Sequence, residues 1–430
     1  MVFQQGVSRE TERLSLLYRI AQTLTSSLDL DEVLNTVLDE VIAATRAERA
    51  FLVLVDNNGS QTFRSARGLE QSPIDDPQSQ VSLGVIERVL REGRPLLTSN
   101  AQSDDWLSER KSVMILGLRS VLCVPLQNKN IISGIIYVDN RVQSGIFTSD
   151  DLDLLNSIAA SAAVAIENAR LYQVAIEKGR LERELQLAHE VQVNLLPVEL
   201  PQYAGWEFAA RWDPAYEVAG DFYDLQTTSK DSVCAVVADV SDKGMAAALY
   251  MALSRTIIRA SVLQAKTLAE GICQANQLIC QDSRAGMFVT LFYGQLNPKT
   301  GEFTYVNGGH NPPIHFSAKT GKLTRLSRTG MALGVEPETP YDQATITIEP
   351  EDFVLLYTDG VTEAFNLQNQ PFGEKRLEEL LLEHNHPTAL ELIDHIVDRV
   401  KQFSGREQPS DDLTIVALSR KAAPSVGNKA

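Results

Sequence analysis

Acidic residues recur in the second half of the chain where strand-like segments end. They form four patches, at residues 219–224 (AGDFYD), 238–241 (ADVS), 357–360 (YTDG) and 410–414 (SDDLT). A carboxylate at the end of a buried strand is costly to desolvate unless it is paired or bound to a cation. A turn would explain any one Asp-Gly dipeptide. Because the pattern recurs, we expect these carboxylates to share a site.

The residue types in these patches favour hard cations. None of the four patches contains His or Cys, and all-oxygen sites favour Mg²⁺ or Mn²⁺ over zinc or copper. Two such ions, about 3.5–4 Å apart, can share a bridging carboxylate, activate a water and hold a phosphoryl group for in-line attack. The patches therefore predict a site for Mg²⁺ or Mn²⁺, with room in the pattern for a second ion.

Composition narrows the class of protein. With 430 residues, 44% of them hydrophobic, the chain is long enough for two or three domains. A net charge of -17 disfavours nucleic acid as a partner, although a surplus of carboxylates is usually a solvated surface. The N-terminal stretch lacks an apolar signal segment, and we expect no membrane-spanning run. Four cysteines without C-x-x-C spacing are expected to be reduced thiols in the cytoplasm.

The acidic patches are set within alternating strands and helices. Short apolar runs predict five strands, at residues 233–240, 288–296, 303–306, 353–357 and 413–418. Helical periodicity covers residues 245–262, 268–280 and 389–403. This half of the chain is therefore predicted to be a strand-rich α+β domain.

The first half of the chain has its own α+β pattern. Asp29 is a predicted N-cap with Glu32 at the third helical position, before a helix of about four turns. Residues 50–55 are a predicted strand, and residues 120–126 and 131–138 a predicted strand pair of hairpin type. Strands framed by helices predict a separate α+β domain.

A helix with a heptad-like pattern is predicted to connect the two halves. It starts near Ser149, and Pro197 and Pro201 close it. Its apolar positions are Leu171, Val174, Leu181, Leu185, Ala188 and Leu195, with Lys178 and Gln192 as polar interruptions. The helix either pairs with a second copy as a coiled coil, giving a homodimer, or packs on one of its own domains. The pattern leaves both open.

The second half resembles a known enzyme family over about residues 183–420. Besides the acidic patches, the resemblance is carried by residues 183–197 (RELQLAHEVQVNLLP), 288–293 (FVTLFY) and 307–313 (NGGHNPP). In this order they resemble the motifs of type 2C (PPM) protein serine/threonine phosphatases of the bacterial sporulation and stress-response branch. The resemblance implies an α/β/β/α sandwich and the hydrolysis of phosphoserine or phosphothreonine.

The resemblance also assigns roles to individual residues. It implies that Asp239 bridges both metals, and that Asp221 and the Val240 carbonyl bind one of them, with Asp239 and Asp221 at the catalytic centre. It implies that Asp359 and Asp411 hold the other ion. Asp412 is the alternative to Asp411, and Asp224 is expected to be structural or to lie outside the ligand shell.

The chain departs from the family pattern at two places. Where the family commonly has Gly-Gly-Asp, residues 219–221 read AGD, which keeps the metal ligand. Where relatives have Asp-Val-Ser-Gly-His-Gly, this chain has residues 239–244 (DVSDKG), so a candidate proton donor is missing. Lys243 or a metal-bound water is the expected substitute. His310 is expected to stabilise its turn, and residues 384–386 (HNH) to be a solvated helix end.

The first half resembles a GAF sensor domain over about residues 12–170. The carrying segments are residues 50–55 (AFLVLV), 120–126 (SVLCVPL), 134–140 (GIIYVDN) and 147–152 (FTSDDL). They mark the fold more than a ligand, so a small-molecule ligand is expected but not identified. The cyclic-nucleotide-binding pattern is met only in part, and Cys123 has no neighbouring His for bilin attachment.

Together these interpretations predict an α+β protein of four parts: a GAF domain (12–170), a signalling helix (171–197), a phosphatase domain (198–420) and a disordered tail (421–430). By analogy, the substrate is a phosphorylated protein such as an anti-sigma-factor antagonist. One alternative is a catalytically degenerate phosphatase that binds phosphoproteins without turnover. Another is a GAF-coupled nucleotide cyclase, against which the ordered phosphatase motifs and the lack of a recognisable purine-selecting Lys and Asp pair count.

Overall fold

The computed structural model describes residues 14–422, apart from residues 16, 25–26, 57, 69–73, 75, 109, 130, 230, 283–285, 384–387 and 406–409. The HNH segment at 384–386 and most of the predicted tail lie outside the described residues. The chain divides into two compact units, Met1–Leu181 and Glu182–Ala430. The domain boundaries predicted from sequence stay predictions.

The first unit is built on one antiparallel sheet of five strands in the order β2-β1-β5-β4-β3. Its elements include α1 (Leu30–Thr45), β1 (Arg49–Val55), β2 (Gln61–Arg67), a 3₁₀ turn (Pro77–Gln80), α2 (Leu83–Glu92), β3 (Leu96–Thr98), α3 (Lys111–Ile115), β4 (Ser120–Asn128) and β5 (Ile131–Asn140). Helix α4 (Ser149–Leu195) begins in this unit and ends in the second. The predicted hairpin is confirmed, since β4 and β5 pair antiparallel. The predicted N-cap is also confirmed, because the Asp29 side chain accepts from the Glu32 N–H.

Both faces of this sheet are buried. Alternate residues of β1 point to opposite sides: Ala50 and Leu52 pack in one core with α1 and the first part of α4. Phe51 and Val53 pack in a second core with α2. An apolar run without polar alternation, such as residues 50–55, is what a strand covered on both faces requires.

Helix α4 is a single helix of 47 residues. Leu171, Val174 and Leu181 on it are more than half exposed, at 56%, 60% and 54%. Exposed apolar residues at these positions are what the coiled-coil prediction requires, but a helix in a single chain does not show pairing, so the coiled coil stays a prediction.

The second unit contains two further sheets. After α4 come β6 (Trp206–Asp213), β7 (Phe222–Ser229), β8 (Ser232–Val240), α5 (Met245–Gln264), α6 (Leu268–Asp282), β9 (Val289–Leu296), β10 (Glu302–Gly308), β11 (Ile314–Ser317), β12 (Lys322–Arg325), β13 (Ala344–Thr347), β14 (Phe353–Tyr357), α7 (Asp359–Thr362), α8 (Gly373–Glu383), α9 (Ala389–Ser404) and β15 (Leu413–Arg420). The five strands and three helices predicted here are all present, with ends that differ by a few residues.

The second unit is a four-layer α/β/β/α sandwich, as predicted. One antiparallel sheet has the order β13-β10-β9-β8-β7 and the other β12-β11-β14-β15-β6. Helices α5 and α6 cover the outer face of the first sheet, and α8 and α9 cover that of the second. Side chains from the facing sides of the two sheets form a third core between them.

Helix α5 is rich in apolar residues along its whole length. Within the described part of the chain, Met245–Gln264 is the one helix long and apolar enough to cross a membrane. Ala247, Met251 and Ile258 on this helix are buried against the first sheet. The apolar content of α5 is therefore accounted for by its place as a core helix.

Candidate metal centre

Strand alternation places Asp239 between the two sheets. Along β8, Val233, Ala235 and Val237 belong to the core between the sheets. The intervening residues face the α5 and α6 layer. Because successive side chains alternate, Asp239 points to the inner side at the end of the strand. Its carboxylate therefore lies where the interior of the sandwich opens.

Asp221 is held in the same region by the second sheet. It directly precedes β7 and is 2% exposed. The Thr414 hydroxyl of β15 donates to Asp221 Oδ2 at 2.8 Å. The Thr414 N–H donates in turn to the Thr358 hydroxyl at 3.0 Å. Thr414 of the second sheet thus orients the carboxylate that precedes β7, and Thr358, directly after β14, holds the main chain of Thr414.

The carboxylates at this end of the sandwich raise one another's pKa. Burial, followed by the charges of Asp239 and Asp412, raises the pKa of Asp221 well above its ordinary range. Burial and the charges of Asp359 and Asp411 raise the pKa of Asp239 to about 7. Burial and the charge of Asp411 raise the pKa of Asp359 to about 6. Asp221, Asp239 and Asp359 are therefore each close enough to other acidic residues of the predicted set to be affected by their charge.

The two neighbours Asp411 and Asp412 have different surroundings. Asp412 Oδ1 accepts from the Ala215 N–H and Oδ2 from the Gly220 N–H, each at 2.8 Å. Both oxygens of Asp412 are thus engaged by the main chain of the loop that carries Asp221. Asp411 instead faces Lys243, whose Nζ lies 2.8 Å from its Oδ1. This difference supports Asp411, rather than Asp412, as the candidate ligand.

Close backbone packing explains the glycines beside two of the aspartates. A Cβ at Gly360, next to Asp359, would lie 2.0 Å from the Asp412 carbonyl oxygen, so a side chain cannot be accommodated there. A Cβ at Gly220 would lie 3.1 Å from the Val240 carbonyl oxygen. The Val240 carbonyl therefore lies beside the residue that precedes Asp221, as its predicted role requires.

Lys243 lies at the edge of the cluster. Burial works to lower its pKa, but the hydrogen bond and the charge of Asp411 outweigh burial and raise the pKa of Lys243 above its ordinary value. An ammonium group in this position partly offsets the negative charge of the cluster. Lys243 is placed beside a candidate metal ligand.

His310 has a role that the sequence did not reveal. As predicted it stabilises its turn, since its N–H donates to Asn307 Oδ1 at 2.9 Å. Its ring also joins the sheets: Nε2 donates to the Tyr357 carbonyl at 3.2 Å, and Nδ1 accepts from the Thr290 hydroxyl at 2.8 Å. Burial lowers the pKa of His310 to about 4, so the ring is neutral. A buried histidine in a glycine-rich turn carries no sequence signal for its partner strands.

Asp224 lies apart from the cluster. It points to the outer face of the first sheet, where Arg255 Nη2 of α5 lies 3.2 Å from its Oδ2. This ion pair gives it the structural surroundings expected from sequence.

The donor groups fit a hard divalent cation in their chemistry. Four carboxylates and one main-chain carbonyl give oxygen ligands, which Mg²⁺ and Mn²⁺ prefer. Within the described ranges, however, no three Asp, Glu, His or Cys side chains are already gathered at metal-ligand spacing. Binding would require the carboxylates to move toward a shared ion, and Asp411 to exchange Lys243 for it.

Comparison with family models assigns both units. The model of stage II sporulation protein E (SpoIIE) matches residues 229–421, and a GAF domain model matches residues 27–167. The first unit therefore contains a GAF domain and the second a domain of the SpoIIE family. The resemblances inferred from the acidic patches and from the GAF segments are thus confirmed.

Two relatives and one solved structure match parts of this chain. Protein IcfG of Synechocystis sp. is 30% identical over 272 residues, which are 57% of this chain and 43% of IcfG. Phosphoserine phosphatase RsbU of Bacillus subtilis is 28% identical over 292 residues, which are 67% of this chain and 86% of RsbU. The SiaA-PP2C domain of Pseudomonas aeruginosa superposes with a TM-score of 0.51 at 19% identity, covering 57% of this chain and 99% of that domain. The last likeness shows the fold of the phosphatase domain.

Proposed function

We propose that this chain is a metal-dependent protein phosphatase that hydrolyses phosphoserine and phosphothreonine monoesters. The observation that carries the proposal is the convergence of Asp221, Asp239, Asp359 and Asp411, whose burial and mutual repulsion raise the pKa of three of them. Its support from relatives is that RsbU is named a phosphoserine phosphatase. We further propose Mn²⁺ or Mg²⁺ as the cofactor, with two ions bound.

The proposed reaction assigns a task to each residue. Asp239 would bridge the two ions, Asp221 and the Val240 carbonyl would hold one, and Asp359 and Asp411 the other. Two bound divalent ions supply an activated water and offset the charge of the phosphoryl oxygens. The Thr414 hydroxyl keeps the Asp221 carboxylate oriented. Asp412 fixes the loop that carries Asp221 through two main-chain hydrogen bonds.

The bond changes are those of monoester hydrolysis. Water attacks phosphorus in line, the bond from phosphorus to the serine or threonine oxygen breaks, and that oxygen must receive a proton. Lys243, whose Nζ lies 2.8 Å from Asp411, or a water is the candidate source. Residues 239–244 (DVSDKG) lack the histidine of the family pattern. This departure supports a second candidate function, a degenerate phosphatase that binds phosphoproteins without turnover. The cyclase alternative has no support in the four-layer sandwich.

The remaining proposals concern the context of this activity. The substrate would be a phosphorylated protein such as an anti-sigma-factor antagonist, in the cytoplasm. The GAF domain would bind a small molecule not yet identified and act through α4, with a homodimer formed along this helix. Equal activity of the full chain and of a fragment of residues 183–430, under every effector tested, would contradict regulation by the GAF domain.

Phosphate release separates the candidate functions. We expect the full chain to release phosphate from a phosphoserine protein and from p-nitrophenyl phosphate when Mn²⁺ is added, and not when a chelator is present. Asp239→Asn should abolish this release while circular dichroism stays unchanged. A wild-type protein that binds a phosphoserine protein but shows no Mn²⁺-dependent release would support the degenerate phosphatase instead.

A further inference from the structure

The main chain that carries Asp221 is held by a tryptophan. Trp212 lies near the end of β6, and its indole N–H donates to the Asp221 carbonyl oxygen at 3.0 Å. Trp212 pairs across the sheet with Thr414, whose hydroxyl donates to the Asp221 carboxylate. Two cross-strand partners of the second sheet therefore bind the same residue, one at its main chain and one at its side chain.

Helix α4 contacts the same segment. The buried side-chain amide of Gln192 makes two hydrogen bonds to one residue: Nε2 donates to the Ala219 carbonyl at 2.8 Å, and Oε1 accepts from the Ala219 N–H at 3.1 Å. One turn earlier on the helix, the His189 ring stacks on the Trp212 indole, with ring centroids 5.6 Å apart and planes 20° from parallel. All of these residues belong to the second unit.

These contacts leave little freedom to the residues around Asp221. Ala219 is held by Gln192, the Gly220 N–H by Asp412, and the Asp221 carbonyl by Trp212. Partners beyond a ligand residue's carboxylate commonly set its orientation and tune metal affinity. A main chain held at three successive residues fixes the point from which the Asp221 side chain extends, without any contact between Trp212 and the carboxylate itself.

We propose that Trp212 is a positioning residue for the metal site, which holds Asp221 through its main chain and links it to His189 on helix α4. The inference rests on the proposed function, because it takes Asp221 as a metal ligand. Trp212 thereby connects helix α4 to Asp221, through the stacked ring of His189 and the indole hydrogen bond. Gln192 is the second, parallel connection to the same segment.

The test compares two tryptophans of the same strand. Trp212→Phe removes the indole N–H and keeps an aromatic ring for His189. Trp206→Phe is the matched control, since the Trp206 indole N–H donates at 2.9 Å to the Pro298 carbonyl and not to the Asp221 segment. Mn²⁺ alone is titrated into the full chain, and the free ion is followed by electron paramagnetic resonance. Melting temperatures of both variants are measured in the presence of chelator.

We expect Trp212→Phe to raise the half-saturating Mn²⁺ concentration on the order of tenfold, and Trp206→Phe to leave it at the wild-type value. Gln192→Leu, which removes both bonds to Ala219 without altering Trp212, should shift it in the same direction. This variant carries the test if Trp212→Phe does not fold. Equal half-saturating concentrations in wild type, Trp212→Phe and Gln192→Leu would overturn the inference.

The binding measurement also separates this inference from the proposed function. Mn²⁺ binding by the wild type without phosphate release would overturn the phosphatase activity and leave the positioning role to be decided by the two tryptophan variants. Phosphate release with unchanged Mn²⁺ binding in Trp212→Phe and Gln192→Leu would overturn the positioning role alone. A wild type that binds no Mn²⁺ would overturn both.

Discussion

Each unit contains a buried aspartate, but the charged groups around the two carboxylates differ. In the GAF domain, Asp139 is fully buried and both of its oxygens accept from the guanidinium of Arg49. In the phosphatase domain, Asp221 is nearly as buried, yet its surroundings include the carboxylates of Asp239 and Asp412. Arg49 partly offsets the charge of Asp139, although burial still raises the pKa of this carboxyl to about 6. A cluster of buried carboxylates that repel one another is stabilised by a bound cation.

The same difference, between a carboxylate paired with a cation and one beside other carboxylates, is found on the two faces of a single sheet. Asp224 lies on the outer face of the first phosphatase sheet and pairs with Arg255. Asp239 lies on the inner face of the same sheet and has carboxylates as neighbours. A protein cation therefore pairs with the structural aspartates Asp139 and Asp224, whereas Asp221 and Asp239 face other carboxylates. The candidate ligand Asp411 is an exception, because Lys243 pairs with it.

The neighbours Asp411 and Asp412 allow the strongest test of which aspartates are metal ligands and which are structural. Asp411→Asn should lower Mn²⁺-dependent phosphate release by more than about a hundredfold, since loss of an outer-shell partner of a metal ligand alone costs about 10- to 100-fold. Asp412→Asn should instead destabilise the fold by about 1–3 kcal/mol, because its amide would face a main-chain N–H with a donor. Release assays and urea unfolding measure the two effects. A large loss of phosphate release in Asp412→Asn, with only a loss of stability in Asp411→Asn, would instead identify Asp412 as the ligand.

Loss of the Arg49–Asp139 ion pair in the GAF domain should lower the stability of the protein and leave its phosphatase activity unchanged. Asp139→Ala leaves the Arg49 guanidinium buried without its partner, so we expect a loss of about 3–5 kcal/mol in the free energy of unfolding of the first unit. Urea unfolding followed by circular dichroism measures it. Glu92→Ala, which breaks the exposed ion pair with Arg88, is the control and should leave unfolding nearly unchanged. Equal effects of the two variants would contradict the role given to burial.

The cross-sheet histidine predicts a pH dependence of stability. The pKa of His310 is about 4 in the fold, against an ordinary value of 6.5, so below pH 6.5 protons bind preferentially to the unfolded chain. The stability that neutral His310 contributes is therefore present above pH 6.5 and is lost as the pH falls toward 4, by about 3 kcal/mol in total.

His310→Gln should remove this loss. Urea unfolding of both proteins at pH 7.5 and pH 4.5, in the presence of chelator, isolates the histidine, because the carboxylates titrate in both. The same pH dependence in wild type and variant would show that His310 is not held neutral by burial.

The smallest expected effect concerns the lysine at the edge of the cluster. Lys243→Met removes an ammonium that occupies Asp411, so the half-saturating Mn²⁺ concentration should fall about two- to fivefold, the range of a partly exposed ion pair. The turnover number at saturating Mn²⁺ should change no more than that. A tenfold or larger fall in turnover, with Mn²⁺ binding retained, would instead indicate that Lys243 takes part in proton transfer.

The sequence was informative where local patterns decide the structure. Continuous apolar runs predicted β8 and β14, because strands buried on both faces carry few polar residues. Edge strands were missed: β7 alternates with exposed polar residues toward its end, and β6 lies at the edge of its sheet. A half-exposed edge strand lacks the apolar run on which the prediction relied.

The sequence by itself determined which aspartates are candidates, since each follows or precedes a strand and matches a family motif. Only the tertiary structure decided what each one faces. Asp221 and Thr414 are 193 positions apart and meet because β15 pairs with β6 and the two sheets stack. Asp411 and Asp412 are adjacent, and the main-chain groups around each of them distinguish the two. Which side chains of a strand share a face can be predicted from the local sequence, because side chains alternate along it. Which residue lies opposite across the sandwich depends on the order of the strands, and no local pattern predicts that order.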